Sequence, residues 1–163
     1  MAENNTKNVF ISHVHENDAE VHGLKELISK AGMDVRNGSI TIDKFNNATD
    51  ENYIKYEILA PRIRWASALI VLISHETHTS KWVKWEIEYA IREGKRIVGV
   101  FAQGAADADI PDAMNTVADS VLVGWQGARV IDALEGRLTE WDRADTQEIE
   151  ARPVVWHLER YEC

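Results

Sequence analysis

One carboxylate, Glu86, stands where the spacing of its neighbours could bring it beside a reactive centre. It belongs to the run ALIVLISHETHTSKWVKWEIEYAIREGKRIVGVF, residues 68–101, in which two apolar stretches flank a segment with helical periodicity. The predicted core stripe of this helix contains Val83, Ile87, Ala90 and Ile91. Glu86 falls on the flank with Trp82, Tyr89 and Glu93, at the edge of the core. Spacing alone favours a structural explanation, because the helix dipole stabilises a glutamate in the first half of a helix.

Four histidines form the second group of residues that could bind a metal or take part in a reaction. His13 and His15 follow the first predicted strand, and His75 and His78 follow the third. Together with Glu86 they make a nitrogen and oxygen metal site geometrically possible. The H-x-H and H-x-x-H spacings are weak signals, however, and histidines in loops are commonly just solvated. We therefore expect no metal site.

The elements around these residues predict an α/β fold. Strands are expected at residues 7–12, 33–36, 68–73, 97–101 and 120–123. Helices are expected at residues 18–30, from residue 51 with an interruption at Pro61, in the segment that ends before Gly94, and at residues 126–138. This alternation predicts a flavodoxin-like, doubly wound sheet of about five parallel strands with helices on both faces.

Such sheets bind ligands at the carboxyl ends of their strands, at the switch point between strands one and three. That rule directs attention to the loops at residues 12–17 and 74–80, with the long loop at residues 37–50 beside them. The segment PVVWHL, residues 153–158, could add a strand or a docking segment.

Composition and missing motifs exclude several classes of protein. The 163 residues carry a net charge of −9 with no Lys/Arg cluster, so a nucleic-acid partner is not expected. No run of 18 apolar residues and no apolar leader occurs, so we expect a cytoplasmic protein without a membrane segment. The single cysteine, Cys163, allows no disulfide within the chain. The chain has no GxGxxG, no P-loop, no GxSxG and no receiver aspartate after the third strand.

Two stretches resemble TIR (Toll/interleukin-1 receptor) domains. FISHVHEND after the first strand is similar to their "FIS–polar–D" opening. SKWVKWEIEYAIREGKRIVGVF resembles their third helix and fourth strand, with the W-x-x-x-E motif at Trp82 and Glu86. The spacing of NGSI, LIS and WVKWEI is most similar to the TIR-like proteins of bacterial Thoeris antiphage defence. We therefore expect a single TIR-like domain over residues 1–163, with a core at about 7–140 and a C-terminal extension at 141–163.

The resemblance implies cleavage of the nicotinamide–ribose bond of NAD⁺, with Glu86 as the catalytic residue. NAD⁺ would be the substrate, no cofactor would be needed, and an ADP-ribose-derived product would reach an effector protein. The residues that match the family's substrate loop after the first strand are Ser12, His13, Val14 and His15. Trp82 and Asp43 are further candidates for substrate binding, although Trp82 could instead support its helix and Asp43 could cap a turn.

Two other functions remain open. The chain could be a non-catalytic TIR-type interaction domain that self-assembles through its helices, and Trp85, expected on the outward face of its helix, would then mark the surface. It could also be an enzyme like the nucleoside deoxyribosyltransferases, which share the sheet and use a glutamate at a ribosyl carbon. Nucleoside substrates would separate this last alternative from NAD⁺ cleavage.

Overall fold

Five parallel strands form the central sheet of the protein. The computed structural model describes residues 6–14, 18–39, 51–102, 104–116, 120–138, 140–142 and 149–151. The strands of the sheet are β1 (Thr6–Ser12), β2 (Asp34–Asn37), β3 (Ala68–Ile73), β4 (Arg96–Phe101) and β5 (Val121–Val123). Their order is β2-β1-β3-β4-β5, and every neighbouring pair is parallel. The predicted flavodoxin-like α/β fold is confirmed.

Helices cover both faces of this sheet. They are α1 (Asp18–Lys30), α2 (Glu51–Tyr53), a π-helical segment (Ile54–Leu59), α3 (Ala60–Trp65), α4 (Lys81–Arg92) and α5 (Gly127–Leu134). The π-helical segment, α3 and α4 pack on one face around Phe10 and Leu69, whereas α1 and α5 pack on the other face around Ile11 and Ile70. Both faces are therefore apolar, which explains why β3 reads as six consecutive buried residues.

The bounds predicted for α1 and β3 are confirmed, but α5 is shorter than expected. Its hydrophobic repeat continues to Leu138, whereas the helix ends at Leu134. Gly136 adopts a positive φ of 80°, and its N–H and that of Arg137 bond back to the carbonyl groups of Ala133 and Asp132. The same kind of glycine-terminated helix end follows α4 at Gly94. In α5 the glycine therefore decides where the helix ends, although the apolar repeat continues beyond it.

Pro61 does not interrupt the second helical region in the way we expected. The preceding segment has π-helical hydrogen bonds, and the N–H of Ala60 bonds to the carbonyl of Lys55. The α-helical register then begins at Ala60, which places Pro61 in the first turn of α3. A missing N–H costs least in a first turn, so the helical path continues to Trp65.

A small antiparallel pair follows the sheet, and the sequence did not predict it. It consists of β6 (Glu140–Asp142) and β7 (Ile149–Ala151), and β6 lies close to β5. The strand considered at residues 153–158 lies outside the described residues. In the part of the chain that the structure describes, every helix is too short or too polar to cross a membrane.

Candidate active site at the carboxyl ends of β1 and β3

The switch point that the topology predicts is present. β1 and β3 are neighbours, with Ser12 opposite Val71. The chain leaves β1 toward α1 on one face and leaves β3 toward α4 on the opposite face. This divergence leaves room for a ligand between the two connections in folds of this type.

Ser12 and Glu86 meet at this point. Alternation along β1 directs Phe10 and Ser12 to the face that carries α4. Glu86 lies in the second turn of α4, whose first turn is capped by the Ser80 side chain accepting from the N–H of Val83 at 3.2 Å. The Ser12 hydroxyl donates to Glu86 Oε1 at 2.5 Å across 74 residues of sequence. The proposed catalytic glutamate and the first residue of the proposed substrate loop therefore form one contact.

Glu86 lies deeper than the helical wheel predicted. Only 4% of its surface is exposed, and Val83 and Ala90, one turn to either side, are fully buried. The expected position at the edge of the core is wrong, because neighbouring elements cover the flank of α4 as well as its apolar stripe. Of the predicted flank residues, Tyr89 is also buried and Glu93 is exposed.

Burial controls the ionisation of this carboxyl group. Loss of solvation raises the pKa of Glu86 from an ordinary value of 4.5 to about 8, and the hydrogen bond from Ser12 opposes the rise. Glu86 is therefore mostly a neutral acid at pH 7 in the substrate-free protein. A strongly perturbed titratable group at a switch point is characteristic of functional sites.

The other predicted substrate-binding residues fall into three groups. His13 and Val14 follow Ser12 and are half-buried; the ring Nδ1 of His13 contacts the Ile11 carbonyl at 2.8 Å, and Val14 packs against the core beside α4. Trp82 is also half-buried against that core, with Lys81 Nζ 5.7 Å from its ring centroid, which fits support of the helix. His15 and Asp43 lie outside the described residues.

The histidines after β3 contact a carboxylate, Asp109, that the sequence pattern did not predict as part of a site. His75 Nδ1 lies 2.9 Å from Asp109 Oδ2, and His78 Nδ1 lies 3.9 Å from Asp109 Oδ1. Asp109 is buried and also accepts the N–H of Ala106 at 2.9 Å. The acidic sequence ADAD marks this loop, but nothing in its spacing connects it to His75. Among the described residues, no three His, Cys, Asp or Glu side chains are arranged to hold a metal ion.

Trp85 does not lie on an outward face, so the expected self-association surface is wrong. Only 8% of Trp85 is exposed. Its ring stacks on Tyr89 with centroids 5.1 Å apart, and Tyr56 of the π-helical segment meets it edge-on at 5.7 Å. Lys55 Nζ lies 5.8 Å from the same ring. Trp85 therefore joins α4 to the π-helical segment on the same face of the sheet.

We expect Trp85→Ala to lower the free energy of unfolding by about 3 kcal/mol, because truncating a buried tryptophan removes packing and leaves a cavity. Chemical unfolding measures this change, with Lys84→Ala on the exposed face of α4 as the matched control. A loss below about 0.5 kcal/mol, the size typical of surface substitutions, would contradict the structural role.

The fold and the contact between Ser12 and Glu86 define the class of this protein. It is a flavodoxin-like domain with a buried carboxylic acid at the switch point of its sheet. Residues 10–107 match the family model described as Thoeris protein ThsB, TIR-like domain. The match covers more than half of the chain, and the protein belongs to this TIR-like family. The resemblance stated from the sequence is thereby confirmed.

Comparisons with solved structures and with curated proteins do not indicate an activity. The chain is similar to the solved structure of a Clostridium botulinum CMP N-glycosidase, BcmB, with 17% sequence identity and a TM-score of 0.46. The similarity covers 79% of this chain and 98% of that chain. Likeness at this level says nothing about activity. No curated protein matches the chain.

Proposed function

We propose that this protein cleaves the nicotinamide–ribose bond of NAD⁺ and releases an ADP-ribose-derived signal in bacterial antiphage defence. The observation that carries the proposal is the buried Glu86, hydrogen-bonded to Ser12 at the switch point of the sheet. Membership of the Thoeris TIR-like family supports the same assignment. The proposed catalytic residue is Glu86, and Ser12 is the proposed positioning residue.

The chemistry of NAD⁺ suits such a site. Nicotinamide is cationic in the substrate and leaves with the electron pair of the C1′–N bond, so no strong general acid is required. The ribosyl carbon becomes positively charged as that bond breaks, and a nearby carboxylate stabilises it. An oxygen nucleophile, either water or a hydroxyl group, then forms the new bond at C1′ and gives up its proton.

The raised pKa of Glu86 imposes a condition on this mechanism. The carboxyl group must ionise to stabilise the cation, although it is mostly neutral at pH 7 in the free protein. A cationic nicotinamide ring next to Glu86 favours the carboxylate, because an opposite charge within a few ångströms lowers the pKa of an acid. Substrate binding would thus generate the active form. Because 96% of Glu86 is buried, the site must also open toward substrate.

Nicotinamide release tests the proposal. Concentrated protein is incubated with NAD⁺, and the products are separated and identified by mass, since mass distinguishes linear or cyclic ADP-ribose from a conjugate. Release of nicotinamide supports the proposal. Cleavage of nucleosides with NAD⁺ left intact would favour the deoxyribosyltransferase-like alternative. Self-association without any turnover, with extracts of phage-infected cells present, would favour an interaction domain.

The pH dependence of kcat/KM should move when Ser12 is replaced. We expect kcat/KM for NAD⁺ to rise with pH, with an inflection near the pKa of about 8 of Glu86 in the free protein. The Ser12 hydroxyl favours the ionised form, so Ser12→Ala should shift the inflection upward by at least roughly one pH unit, since a hydrogen bond to a charged group contributes ~1.5–3 kcal/mol and one unit corresponds to ~1.4 kcal/mol.

Initial rates between pH 6 and pH 10, on the order of two units to either side of that inflection, measure the shift. Ser67→Ala, which removes an exposed hydroxyl just before β3, is the control. Equal loss of kcat/KM at every pH in Ser12→Ala would contradict an effect on ionisation and would indicate a direct contact with substrate.

A further inference from the structure

A groove of about 690 Å³ lies at the free edge of the sheet, between β2 and α3. Its volume is typical of sites for small molecules, which range over roughly 300–1,000 Å³. Beside the groove, β2 stops at Asn37, opposite Val9, whereas β1 continues to Ser12. The Asn37 side chain replaces the missing strand by accepting the N–H of Ile11 at 3.0 Å.

An exposed indole ring forms one wall of this groove. Trp65, the last residue of α3, lies against the backbone of Gly38, where a Cβ atom would come within 2.9 Å of the ring. Only glycine permits this approach without displacement of the ring. Trp65 nevertheless remains 45% exposed, so a large part of the ring faces the groove and solvent.

Two guanidinium groups stand beside the indole. Arg36 Nε donates to Asn8 Oδ1 at 2.9 Å, and Arg62 Nη1 donates to the Gly38 carbonyl at 3.2 Å. Neither group lies within ion-pair distance of a carboxylate among the described residues. Each side chain is thus anchored by one hydrogen bond and keeps further N–H donors for a ligand.

We propose that this groove binds a nucleoside monophosphate, with the base stacked on Trp65 and the phosphate held by Arg36 and Arg62. Every base has a π-face that an aromatic side chain can stack on, and guanidinium groups match phosphate oxygens geometrically. Glu57 also lines the groove and can accept hydrogen bonds from ribose hydroxyls or an exocyclic amine. Two cations and one carboxylate suit a single phosphate better than a polyphosphate.

This groove is separate from the Ser12–Glu86 contact. Gly38 leaves the sheet at the level of Val9, three residues or roughly 10 Å before Ser12 along β1. The nucleotide would therefore occupy a second site and does not depend on NAD⁺ cleavage at Glu86.

Isothermal titration calorimetry of the whole chain with AMP, adenosine and inorganic phosphate tests the proposal. We expect AMP to bind at least about tenfold more tightly than adenosine or phosphate, because stacking and phosphate contacts act together. Trp65→Leu and Arg62→Gln should each weaken AMP about tenfold or more. Arg92→Gln, which removes the same charge from the exposed side of α4, should change binding by less than about twofold.

Glu86→Gln separates the two sites, since AMP binding should survive this substitution unchanged. AMP binding that Glu86→Gln abolishes and that Trp65→Leu and Arg62→Gln leave intact would place the nucleotide at the Ser12–Glu86 contact and overturn the proposal. The proposal would also be overturned if phosphate bound as tightly as AMP. It would likewise be overturned if the titration with AMP gave no saturable heat of binding at millimolar concentrations. Thermal unfolding of each variant verifies that it is folded, and Arg36→Gln replaces Trp65→Leu if the latter unfolds.

Discussion

Glu86→Gln should reduce nicotinamide release from NAD⁺ by at least about 10²- to 10³-fold, the size of effect seen when one electrostatic group of an active site is removed. Glutamine preserves the shape of the side chain and can still accept the hydrogen bond from Ser12 at the position of Oε1. It cannot supply the negative charge that the ribosyl cation requires. The loss should therefore appear in kcat as well as in kcat/KM, because the interaction is made chiefly in the transition state.

The matched control is Glu88→Gln, two residues along the same helix. Glu88 is exposed, whereas Glu86 is buried, so the same chemical change is made with and without contact with Ser12. We expect turnover by Glu88→Gln to remain close to that of the natural protein. Turnover within about tenfold of normal in Glu86→Gln would remove Glu86 from the mechanism, because that residual rate exceeds what loss of an essential charge allows.

The same substitution should make the protein more stable at neutral and alkaline pH. The pKa of Glu86 is raised from 4.5 to about 8 in the folded state, so the folded protein retains a proton that the unfolded chain has lost. Stability contributed by the neutral acid is fully present below pH 4.5, declines as the pH rises, and is lost above about pH 8. One pKa unit corresponds to ~1.4 kcal/mol, so the full loss amounts to at most about 5 kcal/mol.

Glutamine does not ionise, and Glu86→Gln should escape this loss. The difference in free energy of unfolding between the variant and the natural protein should be small at about pH 4.5, grow through neutral pH, and level off above about pH 8. Urea unfolding across that range measures it, and the titration of all other groups cancels in the comparison. A difference that stays constant with pH would contradict the raised pKa of Glu86.

The two results together separate catalysis from folding. A variant that is at least as stable as the natural protein and yet inactive has lost a chemical group rather than its structure. Active sites commonly carry groups that cost stability, and replacing them often stabilises the protein while abolishing function. Glu86, a buried residue of α4 at the switch point, fits this pattern.

Periodicity determined most of the fold before any tertiary information was needed. Six consecutive apolar residues predicted β3, and an amphipathic repeat with a terminal glycine predicted α1 and α4. These signals are local, because a buried strand and a helix with one covered face need particular spacings whatever surrounds them. The alternation of strands and helices then predicted a parallel sheet with a switch point between strands one and three.

Tertiary structure decided which side chains meet and how deep they lie. Helical spacing shows only which residues share a face, and what covers that face depends on the neighbouring elements. The π-helical segment brings Tyr56 onto Trp85, which turned an expected outward residue into a buried one. Asp109 contacts His75 across 34 residues of sequence that carry no periodic signal linking them.

Glu86 combines both kinds of information. Its sequence context, W-x-x-x-E in a helix after the third strand, identified it as the residue of interest. The contact with Ser12, the burial of all but 4% of its surface and the resulting pKa of about 8 arise only when β1 and α4 pack together. The sequence by itself determined the identity of the carboxylate, and packing decided its charge, because ionisation depends on the solvent and dipoles around a group rather than on its position in the chain.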